Sequence, residues 1–132
     1  MARIREINIA MACTPTLITR QAMRRITKAL KDFAAKKGWE PEDCQILFRN
    51  LEEWGRISVF FIVESFSGLY HKEMWIQVVD HLEQSLNQGG GIGLSVGLTV
   101  RERKQVEQGG VHSIPAGFVS EEDLFLNPTV AD

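Results

Sequence analysis

Arg56-Ile-Ser-Val-Phe-Phe-Ile-Val-Glu-Ser65 decides the fold. It is rich in β-branched and aromatic residues, which suit a pleated, buried surface. Because successive strand side chains point to opposite faces, the consecutive Phe60, Phe61 and Ile62 place apolar bulk on both sides of the sheet. With Ile57, Val59, Phe61 and Val63 turned toward helices, Phe60 and Ile62 point away from them. Leaving those two in water would forgo roughly 1.5–3 kcal/mol each and expose an apolar patch at the sheet centre. Two covers are available: the chain's own tail, with Phe118, Leu124, Phe125 and Leu126, or a second protein surface.

Working outward, Asn50-Leu-Glu-Glu-Trp-Gly55 reads as a hairpin connection to a preceding strand at Cys44–Arg49, although Pro41-Glu-Asp-Cys44 also fits a short helical start. Ser67-Gly68 opens a helix running to about Leu86. Its Trp75, Val78, Val79, Leu82 and Leu86 form one stripe, with Glu73, Gln77, Asp80 and Gln84 opposite. After Gly89-Gly-Gly91, Ile92, Leu94, Val96, Leu98 and Val100 alternate with Gly93, Ser95, Gly97 and Thr99, which predicts a strand with one apolar and one nearly bare face. Toward the N-terminus, Ile7, Ile9 and Met11 alternate with Asn8, Ala10 and Ala12, predicting a strand over residues 4–12. Thr14-Pro15 or Thr16 then caps a helix whose Ala22, Met23, Ile26, Ala29, Leu30 and Phe33 share a stripe, and Gly38 ends it.

The element order βαββαβ predicts a ferredoxin-like α+β sandwich over residues 1–100, a four-stranded antiparallel sheet with two helices on one face. In that arrangement Gly93, Ser95 and Gly97 neighbour Asn8, Ala10 and Ala12, a bare strip that a backbone can approach closely. Residues 101–132 form a C-terminal extension. Arg101–Gln108 fits a helix or a hairpin turning at Gly109-Gly110, and Ser120-Glu-Glu-Asp123 is a capping box for a single turn.

At 132 residues the chain has the size of one domain, and 44% hydrophobic with 24% charged residues is the composition of a globular protein rather than a disordered or collagen-like one. Its longest apolar run, Val59–Val63, is far short of the roughly 20 residues of a membrane span. The charged N-terminus leads into no apolar h-region with a small-residue cleavage site, and Cys13 and Cys44 are too few for a disulfide framework, so a cytoplasmic location is expected. Charge is uneven: residues 1–37 hold nine basic side chains against Glu6 and Asp32, which leaves −9 for the rest of a chain of net charge −2. Arg20, Arg24, Lys28 and Lys31 fall within about 80° on the polar face of the first helix, a candidate surface for nucleic acid or another polyanion. The isoelectric point near 5.9 is well below that of typical nucleic-acid modules.

Candidate chemistry is sparse. Cys13 stands where the first strand hands over to a helix, a place that favours thiolate, yet Arg20 follows too late for a phosphatase cradle. Glu64 and His71 bracket the turn after the decisive strand, so a pocket near Cys13, Glu64 and His71 is the enzyme or ligand-carrier alternative. His71 and His81 are ten residues apart and about 80° out of line on a helix, His112 stands alone, and no metal site is expected. Gly89–Gly97 enters a strand rather than linking strand to helix, so no nucleotide or other cofactor is expected.

Ile57–Glu64, then Ser65-Phe66-Ser67-Gly68, then a helix carrying Trp75, Val79 and Leu82 resembles the middle of BolA-type proteins over about 30 residues, which place a Ser-x-x-Phe-x-Gly turn before their long helix. The family's Arg-His-Arg motif is absent here, His71-Lys72-Glu73 standing nearby, and Gly91-Ile92-Gly93 replaces the histidine that opens its last strand. No site residue follows from the resemblance.

The residues together predict a small binding or assembly module without chemistry of its own, associating as a homo-oligomer through an open sheet face made of Phe60, Ile62, Gly93, Ser95, Gly97 and Phe125.

Overall fold

The computed structural model describes residues 17–51, 55–88 and 94–126. Helix α1 spans Leu17–Lys36, and strands β1 and β2 span Gln45–Leu51 and Arg56–Val63. Helix α2 covers His71–Gln88, strand β3 Ser95–Glu102, helix α3 Arg103–Gln108, strand β4 Val119–Ser120 and helix α4 Glu121–Leu126. The predicted strand at 4–12, Cys13 and Gly93 lie outside the described residues, as do the side chains of Phe125 and Leu126.

Local chemistry sets the boundaries. Gly38 takes φ +77° and ends α1 in a paired cap: its N–H reaches Ala35 O at 3.0 Å and the Trp39 N–H reaches Ala34 O at 3.0 Å. Left-handed geometry there costs glycine nothing. Gly55, at φ +62°, turns β1 into β2, and the two strands pair antiparallel with Leu47 opposite Phe60 and Phe48 opposite Val59.

Among the described residues the sheet is four-stranded, in the order β3-β2-β1-β4, and mixed. Strands β2 and β3 pair directly and in parallel. This corrects the purely antiparallel, ferredoxin-like sheet, which requires another strand between those two. Side-chain periodicity is the same in either pairing, so alternation along Leu94–Val100 fixes a strand but not its neighbour. The register supplies the physical reason for the observed pairing: Ile57 meets Val96, Val59 meets Leu98 and Phe61 meets Val100, so the apolar rows of the two strands abut across the helix-facing side.

Both helices lie on that side. Met23, Ile26, Leu30 and Phe33 of α1 pack with Met74, Val78 and Leu82 of α2 over Phe48, Ile57, Phe61 and Val100. On the opposite side a smaller cluster unites Leu47, Phe60 and Ile62 with Val106 and Phe118. Phe60 and Ile62 are only 2% and 1% exposed within the single chain. The extension is the cover, and Arg101–Gln108 resolves into the end of β3 followed by a helix.

Candidate functional site

The covered face relocates the question of contact. Phe60 and Ile62 are not on an open surface, because α3 and the segment before β4 supply Val106 and Phe118, whose ring centroid lies 5.7 Å from that of Phe60. Of the other expected interface residues, Ser95 and Gly97 lie on β3, which is an edge of the described sheet. Gly97 has a close neighbour, as its bareness suggests, but that neighbour is Arg56: a Cβ added at Gly97 would clash with the tip of the guanidinium.

The edge of β3 can be followed group by group. The Ser95 N–H donates to Gly55 O at 2.9 Å, which turns the backbone groups of residues 95, 97, 99 and 101 toward β2. Those of Val96, Leu98, Val100 and Glu102 therefore face outward. Three side chains occupy the later part of that edge: Trp75 Nε1 donates to Leu98 O at 3.0 Å, Arg101 Nη1 to Val100 O at 2.9 Å, and Gln105 Oε1 accepts from the Glu102 N–H at 3.0 Å. Blocking of this kind limits edge-to-edge pairing. The earlier part is unguarded, since among the described residues the outward groups of Val96 and the Leu98 N–H have no hydrogen-bond partner. Directly beside it, Val79, Leu82, Leu86, Leu94, Val96 and Leu98 line an apolar groove of ≈ 300 Å³ between α2 and β3.

At the other end of β3 the structure assembles a polar group that the sequence separates by 30 residues. His71 opens α2, and Arg101 Nη1 lies 2.9 Å from its Nε2. Because guanidinium only donates, that nitrogen accepts and the proton sits on Nδ1. Burial, then the Arg101 charge, then His112 hold the His71 pKa below its ordinary value, with Glu102 opposing. Glu102 itself accepts from the Phe66 N–H at 2.9 Å, fixing the turn before α2. Glu64 is not part of this cluster: it faces Arg103 Nε at 3.9 Å, and no contact among the described residues joins it to His71. The third member of the expected pocket near Cys13, Glu64 and His71, Cys13, lies outside the described residues.

The basic face of α1 carries Arg24, Lys28 and Lys31 exposed and Arg20 half-buried. The described residues contain no group of three His, Cys, Asp or Glu side chains placed to hold a metal. They contain no helix long and apolar enough to cross a membrane. Trp75 and Arg101 were invisible as site residues because their partners, Leu98 O and the His71 ring, lie 23 and 30 positions away in sequence. Compared with known proteins, the chain matches no family model, no curated protein and no solved structure.

Proposed function

We propose that this protein is a binding and assembly module without chemistry of its own, and that two copies associate along the outer edge of β3 around Val96 and Leu98. The carrying observation is the partial guarding of that edge: three side chains close its second half, while the first half is left open next to an apolar groove. Antiparallel pairing of this segment with its own symmetry mate continues the sheet across a two-fold axis and brings the two grooves to the seam. Ser95, small and exposed on the same segment, allows the close approach. Phe60 and Ile62 contribute only from beneath the tail.

Val96→Pro tests this reading, because the N–H it removes points away from β2 and is not part of the internal ladder. Light scattering on the full chain is expected to give a dimer that Val96→Pro converts to a monomer of unchanged helix content. A protein that is monomeric at every concentration overturns self-association. If that monomer is also destabilised by Val96→Pro, the edge belongs instead to the chain's own residues 4–12.

A further inference from the structure

A concavity on the helix side of the sheet lies where α1, the Trp39–Cys44 turn and the start of α4 converge. Its volume is ≈ 260 Å³. An apolar cavity of about 150 Å³ accepts benzene and drug-sized sites begin near 300 Å³, so this one suits a small metabolite rather than an extended ligand. Leu30, Ala34, Ile46, Phe48 and Phe61 make an apolar interior, and the Trp39 indole forms one wall.

The rim carries the specificity. Lys31 on α1 and Glu122 on α4 are both exposed and line the same cavity. Neither makes an ion pair with the other or with any described residue. Glu121, which also lines the cavity, is already engaged, its Oε2 accepting from Thr27 Oγ1 at 2.9 Å. A cation and an anion held apart over an apolar interior complement a zwitterionic head with an apolar tail.

We infer that this cavity binds a free apolar α-amino acid of about leucine size, its side chain among Leu30, Phe48 and Phe61, its carboxylate toward Lys31 and its ammonium toward Glu122. The site lies toward the β1–β4 edge of the sheet and the groove at its β3 edge, both on the helix-facing side, so it stands or falls independently of self-association.

Titration calorimetry on the full chain tests it with three probes: leucine, 4-methylpentanoate, which lacks the amine, and 3-methylbutylamine, which lacks the carboxylate. Leucine is expected to saturate a single site and to bind more tightly than either half-ligand. Lys31→Ala is expected to weaken leucine and 4-methylpentanoate by about fivefold, the effect of one rim charge pair, and to leave the amine unchanged. Glu122→Gln is expected to do the reverse. Both residues are exposed, so neither variant threatens the fold. Saturating leucine should also slow alkylation of Cys44, which lines the cavity, in a Cys13→Ser background. No heat from leucine at about 10 mM, well above the usual range of specific sites, overturns the inference, as does binding indifferent to both substitutions.

Discussion

His71 and Arg101 give the molecule a pH-dependent contact. The imidazole accepts from a guanidinium only while neutral, and burial and the Arg101 charge both oppose its protonation. The unfolded chain therefore takes up a proton near the ordinary value of 6.5 while the folded chain resists it. Since the unfolded state then binds more protons, stability falls as pH drops below 6.5 and is restored above it. Urea titrations between pH 5 and 8 are expected to show this slope in the native sequence and a shallower one in His71→Gln, whose amide oxygen can still accept from Arg101. An unchanged slope removes His71 as its source. Cys44 follows the opposite logic: burial raises its thiol pKa, with Arg103 opposing, so at neutral pH it is a protonated, slow nucleophile.

Among the elements, α4 is only six residues long yet has a defined start. The Asp123 N–H donates to Ser120 Oγ at 3.1 Å, and Glu121 in its first turn holds Thr27 of α1. Ser120→Ala is expected to cost about 1 kcal/mol in urea unfolding, the usual effect of an N-cap; a loss near zero would show that α4 does not depend on it. This cap was legible in Ser120-Glu-Glu-Asp123, as were the glycine stops at Gly38 and Gly55, because capping and turn chemistry act within four residues. The stripes of α1 and α2 were equally legible, since periodicity is local. The neighbour of β3 was not. Alternation reports which face is buried and is silent about which strand lies beside it, and that choice rests on Ile57, Val59 and Phe61 meeting Val96, Leu98 and Val100 in register. The cavity under Trp39 was hidden for a related reason, its walls coming from α1, the sheet and α4.

The molecule as a whole is three-layered over part of its sheet: α1 and α2, then the strands, then the extension. The double burial of β2 was readable from Phe60-Phe61-Ile62, but apolarity alone does not distinguish a cover from the same chain from one on a partner. Phe118 is the centre of that cover, packed on Phe60 with the Arg49 guanidinium 5.0 Å from its ring centroid. Phe118→Ala is expected to destabilise by about 2–3 kcal/mol, below the fully buried range because the ring is half-buried. It should also make the native protein bind an apolar dye, as Leu47, Phe60 and Ile62 become accessible. Loss of stability without dye binding would mean that the extension recloses over them. Shielding β2 front and back also shapes which descendants of this sequence can survive. Along most strands every second position tolerates chance replacement by a polar residue, but here neither parity does, so inherited variation should collect on the outer surfaces of α1 and α2 and spare the central strand almost entirely.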